Sequence, residues 1–107
     1  MSYLTKHERF SSYVVHHKTT RIVIEGVTEA GETFRPSDWA ERLCGRLASF
    51  DPGRMTYYYS PNLYPEVHHE TRIKRLVLDL TLKKTNPDIY EAILSFAGEH
   101  KLKIHEE

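Results

Sequence analysis

The sequence SDWAERLCGRLA, residues 37–48, decides the fold because it predicts an amphipathic helix. Trp39, Leu43 and Leu47 recur at every fourth residue, so they share one helical face, and the charged residues fall opposite. Ser37 is predicted to be the N-cap, since its hydroxyl can accept a hydrogen bond from the first free amides. The apolar face of this helix requires a second layer to cover it.

A second amphipathic helix is predicted to begin after Asn86. Asn86 is the expected N-cap, and Pro87 fits the first helical position, where its missing amide donor costs least. The helix is expected to end near Gly98. Its predicted apolar face is formed by Ile89, Tyr90, Ile93, Leu94, Phe96 and Ala97.

Four segments have the composition of β-strands. The first begins at Arg21 and the last covers residues 102–104. Residues 54–60 are rich in aromatic side chains, and residues 74–82 alternate leucine with other residues, which predicts the second and third strands. The segment between them, 61–73, contains two prolines and is predicted to be a loop.

The resulting order, β-α-β-β-α-β, is that of ferredoxin-like domains. These are α+β two-layer sandwiches with two helices on one face of a four-stranded antiparallel sheet. Strand alternation places Val23, Tyr58, Val77 and Lys103 on the opposite, open face of the sheet. We expect a second copy of the chain to cover this face, which predicts a homodimer.

The composition is that of one globular domain. The 107 residues carry 15 basic and 15 acidic side chains, so no excess of positive charge indicates a polyanionic partner. Residues 1–20 lack a helix or strand period and are expected to form an N-terminal tail before a single domain at 21–107. The lone Cys44 and the lack of a long apolar segment predict a soluble, cytoplasmic protein without membrane association.

Five short segments of the sequence are distinctive: FRPSDWAERL at 34–43, IEGVT at 24–28, YSP at 59–61, LVLD at 76–79 and FA at 96–97. In these segments the chain resembles a family of short proteobacterial proteins of unknown function, over roughly residues 22–104. The resemblance implies the fold and a cytoplasmic bacterial setting. It transfers no catalytic residue.

The leading functional prediction is a non-catalytic binding or regulatory module. A small metabolite or a protein partner is expected to bind beside the 61–73 loop near the dimer seam, because long loops often carry function. No cofactor is predicted. The candidate ligand-binding residues are Arg35, Tyr59, Tyr64, His68 and Arg72.

The start of the first helix has two interpretations. Arg35 precedes it, and a guanidinium beside free amides favours an anion. Asp38 already places a carboxylate there, so a salt bridge between Arg35 and Asp38 is favoured over an anion site. Trp39 is predicted to be a core residue rather than a ligand platform, and Cys44 a buried, unreactive thiol.

A nucleic-acid-binding domain is one alternative. Tyr57, Tyr58 and Tyr59 would stack on bases if they lay on the open sheet face, as aromatic residues do in ferredoxin-like RNA binders. Because residues of a strand alternate between its two faces, only part of this run would lie on the open face. The sequence signature of those RNA binders is also missing. The zero net charge also disfavours a nucleic-acid partner.

A small enzyme is the other alternative. It would use a histidine of the pair at 68–69 together with Glu66, Asp79 or Arg35 as acid, base or anion-binding groups. The pairs at 16–17 and 68–69 also suggest metal ligation, but neither has the spacing of a metal motif, so exposed polar segments explain them better. We predict no metal site and no catalysis.

Overall fold

The computed structural model describes residues 19–107, and its main sheet is built around β1 (Arg21–Thr28). This strand pairs antiparallel with β5 (Lys74–Asp79) on one side and with β6 (Leu102–Glu106) on the other. The strand β4 (Leu63–Val67) pairs with the far side of β5, so the strand order is β4-β5-β1-β6. The predicted tail, apart from its last two residues, and the histidine pair at 16–17 lie outside the described residues.

The helices and a separate two-stranded ribbon occupy the connections between these strands. Their bounds are α1 (Trp39–Cys44), which continues into a 3-10 turn (Gly45–Leu47), the ribbon strands β2 (Ser49–Asp51) and β3 (Thr56–Tyr58), α2 (Thr81–Thr85) and α3 (Pro87–Glu99).

The sheet and the two longer connections confirm the predicted ferredoxin-like sandwich. Along the chain, β1-α1-β4-β5-α3-β6 gives the β-α-β-β-α-β order, and every neighbouring pair of strands in the sheet is antiparallel. Ile22 and Ile24 of β1 belong to the same buried cluster as Trp39 of α1 and Ile93 of α3. Both helices therefore cover one face of the sheet, because alternate residues of a strand point to the same side.

The second strand of the sheet lies at Leu63–Val67, so its predicted position at 54–60 is wrong. Most of the predicted 61–73 loop is instead this edge strand and the tight turn that follows it. Leu63 is fully buried opposite Leu78, which fixes β4 on the core. Pro65 is tolerated because an edge strand pairs on one side alone.

Residues 54–60 lie largely in the ribbon instead. We call residues 49–59, with their exposed aromatic side chains, the aromatic arm. The rings of Phe50 and Tyr57 pack together across the ribbon with their centroids 4.9 Å apart. Tyr58 is 57% exposed and belongs to the arm, so its predicted place on the open face of the main sheet is wrong.

The predicted third strand, 74–82, ends three residues early. A carboxylate oxygen of Asp79 accepts a hydrogen bond from the amide of Thr81 at 2.9 Å. The helix α2 begins at Thr81, and its residue Leu82 is buried in the core. Hydrogen bonding from Thr81 also lowers the pKa of Asp79, because it favours the charged carboxylate.

The helix starts match the prediction in part. Asn86 occupies the N-cap position of α3 and Pro87 its first turn, although the amide side chain of Asn86 makes no capping bond. The first helix starts at Trp39, and Asp38 rather than Ser37 occupies its N-cap position. The prediction that Ser37 is the N-cap is therefore wrong.

The outer face of the sheet is covered by long polar side chains. Arg21 of β1 donates to the hydroxyl of Tyr64 of β4 at 3.0 Å, across the intervening β5. Arg75 of β5 donates to Glu107 at 2.6 Å, across the intervening β1. Val23 and Val77 lie on this face as predicted, yet they are 0% and 2% exposed. The face is therefore a charged layer rather than an open apolar one.

Gly26 lies where β1 departs from regular pairing with β6. The register shifts between Ile24 and Thr28, and this irregularity brings the backbone of β1 close to β5 and to the indole of Trp39. A Cβ atom on Gly26 would lie 2.5 Å from the carbonyl oxygen of Lys74 and 3.2 Å from Nε1 of Trp39. Only glycine fits this approach without a backbone shift.

We expect Gly26→Ala to destabilise the protein by roughly 1–3 kcal/mol, because the added methyl group overpacks the interface of strand and helix. Gly45→Ala is the matched control. Gly45 has helical dihedral angles and open space around it, so alanine there is expected to be neutral or to stabilise by about 0.4–1 kcal/mol. Urea unfolding curves of the two variants measure the difference, and equal stabilities would contradict the close approach.

Candidate functional site

An apolar cavity of about 380 Å³ lies between the β1–α1 connection, α1 and the C-terminal end of α3. We call it the aromatic cavity. It is lined by Phe34, Arg35, Pro36, Trp39, Arg42, Leu43, Phe96 and His100. Its position on the FRPSDWAERL block means that the most distinctive segment of the sequence builds most of its wall.

Three aromatic rings form one continuous wall. The rings of Trp39 and Phe96 are nearly parallel, at 11°, with centroids 6.3 Å apart. Phe34 stands edge-on to both, at 5.8 Å from Trp39 and 5.7 Å from Phe96. Edge-to-face and offset arrangements of this kind satisfy the quadrupoles of the rings. The wall is therefore rigid and apolar.

His100 closes one side of the wall. Its ring centroid lies 4.5 Å from that of Phe96 and 4.9 Å from that of Phe34. The backbone amide of His100 donates to the carbonyl of Phe96 at the end of α3. The imidazole is therefore held against the phenyl rings by the way the helix ends.

The turn after β1 positions Phe34. The amide of Thr28 donates to the carbonyl of Glu32 at 2.8 Å, and Gly31 adopts a φ of +90° that closes the turn. The amide of Phe34 then donates to the carbonyl of Gly26, also at 2.8 Å. These bonds hold the β1–α1 connection against β1 and place Phe34 next to Trp39 of α1 and Phe96 of α3.

The rim of the cavity carries two guanidinium groups. Nε of Arg42 donates to Asp38 at 2.9 Å, one helical turn earlier. The Arg35 side chain makes no hydrogen bond or ion pair with any residue of 19–107, and it is exposed. The predicted salt bridge from Arg35 to Asp38 is therefore wrong, because Arg42 pairs with that carboxylate.

Trp39 is buried, as predicted, with 3% of its surface exposed. It also borders the aromatic cavity, so one side chain serves the core and the cavity wall. On its other side, Trp39 and Phe34 border a smaller cavity of about 160 Å³. Arg72, which the sequence proposed as a ligand residue, lines this second cavity.

The five proposed ligand residues are not brought together at one site. Arg35 and Arg72 line neighbouring cavities on the helical side. Tyr64 lies on the outer face of the sheet, where it accepts the hydrogen bond of Arg21, and Tyr59 lies in the aromatic arm. His68 lies in the turn between β4 and β5, where its carbonyl accepts a hydrogen bond from the amide of Arg72 at 2.8 Å.

His68 has a structural role in this turn. Its Nδ1 accepts hydrogen bonds from the amides of Glu70 and Thr71, at 3.2 and 3.4 Å. Its own amide donates to the carbonyl of Ile73. Asp79, one of the three partners that the enzyme alternative offered for the histidine pair, lies at the opposite end of β5 from this turn. Among residues 19–107, no group of three His, Cys, Asp or Glu side chains could hold a metal ion.

Of the eight residues that line the cavity, Arg35 is the one that the sequence predicts as a ligand residue. Phe34, Phe96 and His100 are not predicted, and the available signal for Phe34 and Phe96 is that both lie in the distinctive segments of the sequence. Periodicity could not reveal their role, because it reports which face of a helix is apolar and not where two apolar faces leave a gap.

Cys44 lies on the buried side of α1 with no exposed surface. Burial, with a smaller contribution from the charge of Glu41, raises the pKa of its thiol to about 12. The native thiol is therefore protonated and enclosed, as predicted.

We expect Cys44 to resist an aromatic disulfide reagent in the folded protein, because at pH 8 only about one thiol in ten thousand is ionised when the pKa is near 12. The same thiol should react at once in guanidinium chloride, and native labelling should follow the unfolding rate. Fast stoichiometric labelling of the native protein would contradict the burial.

The comparisons with known proteins agree with the fold and leave the activity open. A solution structure, described as that of the first structural representative of its protein family, is 38% identical to this chain, with a TM-score of 0.69 over 86% of this chain and 85% of that chain. No curated protein matches the sequence. None of the helices in the described range is long and apolar enough to cross a membrane. Residues 18–107 match the family described as "Protein of unknown function (DUF3579)", so the chain belongs to that family.

Proposed function

We propose that this protein is a non-catalytic binding module whose ligand site is the aromatic cavity. The single observation that carries the proposal is the cavity itself: about 380 Å³ of largely apolar space against three aromatic rings, with few polar side chains in its lining. Small-molecule sites have this size and this division between apolar walls and few polar groups.

The chemistry of the lining favours binding over turnover. The titratable side chains of the described lining residues are the guanidinium groups of Arg35 and Arg42 and the imidazole of His100. A general acid–base mechanism needs a base within reach of the reacting atom and a group that orients it. The wall offers ring surface and positive charge, which suit the retention of a ligand.

The tryptophan provides a direct test, because Trp39 is the one tryptophan in the sequence and borders the cavity. We expect 3-phenylpropionate to change the fluorescence of Trp39 in a saturable way and to raise the melting temperature, since a ligand bound to the native state stabilises it. Leu43→Phe should weaken binding roughly tenfold, because the added ring takes up cavity volume.

Leu47→Phe is the control for this experiment. Leu47 is half-buried like Leu43 and lies one turn further along, but it does not line the cavity. Its replacement should leave the affinity of 3-phenylpropionate unchanged. Equal effects of the two replacements, or no binding of any phenyl probe, would contradict the proposed site.

Self-association through the aromatic arm is a second candidate function. Of the six large apolar side chains that are exposed within 19–107, five lie in the arm: Phe50, Met55, Tyr57, Tyr58 and Tyr59. Patches of this kind mark interaction sites. The predicted homodimer therefore has a better surface here than on the charged outer face of the sheet.

We expect the protein to sediment as a dimer at high micromolar concentration, and Phe50→Ser/Tyr57→Ser to weaken the dimer roughly tenfold or more, because exposed aromatic residues dominate such contacts. Val67→Ser is the control, since Val67 is 48% exposed but lies in β4. Sedimentation velocity over a concentration series measures the dissociation constant of the dimer. A wild-type monomer at all concentrations would rule out this second candidate.

A further inference from the structure

We propose that the aromatic cavity selects ligands that carry an oxyanion, with the ring of the ligand against the aromatic wall and its anionic group on the guanidinium of Arg35. This inference rests on the proposed binding function and adds the chemical class of the ligand. It makes Arg35 the residue that determines specificity.

The availability of Arg35 is the first observation. Its side chain is exposed at the rim and has no partner among residues 19–107. A guanidinium presents its donors in a planar fork that matches the two oxygens of a carboxylate or the oxygens of a phosphate. An unpaired fork beside an apolar cavity therefore favours a ligand with an apolar body and an oxyanion at one end.

The charge balance around the cavity is the second observation. Asp38 and Glu41 are the acidic side chains of α1 and its N-cap, and each has its own cation: Asp38 pairs with Arg42 and Glu41 with Lys74. Neither carboxylate is therefore paired with Arg35. The lining residues carry two guanidinium groups and no acidic side chain, which favours an anionic ligand over a cationic one.

The charge of the lining argues against the opposite class of ligand. Aromatic rings alone could attract an organic cation through their faces. Here the guanidinium groups of Arg35 and Arg42 line the same cavity, so a quaternary or primary amine would meet like charge.

The test uses four probes with one phenyl group and different heads: 3-phenylpropionate, 2-phenylethylphosphonate, neutral 3-phenylpropanamide and cationic 3-phenylpropylamine. Calorimetry at low salt is expected to show at least one of the anions binding about tenfold or more tightly than the amide, as hydrogen bonds to charged groups imply. The amine should bind most weakly. The comparison of carboxylate with phosphonate identifies which oxyanion the cavity prefers.

Arg35→Gln should remove the preference of the cavity for the anionic probes over the neutral amide. Arg35→Lys should retain part of this preference, because the lysine keeps the positive charge. Arg46→Gln is the matched control, because Arg46 is an exposed arginine just beyond α1 that does not line the cavity, and it should keep the wild-type preference. Thermal unfolding of each variant verifies the fold.

The outcomes separate the two proposals. If the amide binds as well as the anions in the wild type, or if Arg35→Gln keeps the wild-type ratio, the oxyanion inference is overturned and the cavity remains a binding site. If none of the four probes binds, the proposed function itself is overturned, and the inference with it.

Discussion

The stack of Trp39 on Phe96, with Phe34 edge-on against both rings, is the interaction on which the rest of the structure depends. It joins α1 to α3, elements that are far apart in the sequence, and it ties both to the connection that leaves β1. The same three rings line the aromatic cavity, so this junction also forms one wall of the space beside it. The same residues form the core contact and line the cavity. Gly26 has no side chain, which leaves space for the indole of Trp39.

The parts of the fold that could be predicted are those with a strong local signal. Residues 21–28 contain a run of β-branched residues and residues 87–99 have a helical period, and the structure confirms both elements. The strand at 63–67 could not be recognised, because an edge strand that buries little beyond Leu63 has neither a strong alternation nor a need to avoid proline. The aromatic run in residues 54–60 has high β-propensity, and it does form a strand, but propensity does not say which sheet a strand joins.

The outer face of the sheet shows how charge can close a surface that the sequence presented as open. Arg75 is 8% exposed and has Glu25, Glu66 and Glu107 within ion-pair distance, so its guanidinium lies in a ring of carboxylates. Long arginine stems cover aliphatic side chains while their heads remain polar. Strand alternation placed the valines on this face correctly, but it could not show that side chains two strands away would cover them.

The location of the candidate site follows from this distribution. A ferredoxin-like sheet usually offers its open face to partners, and in this chain that face is occupied by its own ion pairs. An unfilled apolar surface lies instead at the helical layer, where the aromatic cavity is bordered by the short α1 and the long α3. Binding there would act directly on the contact that joins the two helices, so a ligand in the cavity would stabilise the junction as well as occupy it. Under the proposed function, ligand binding and stability are coupled through the same three rings.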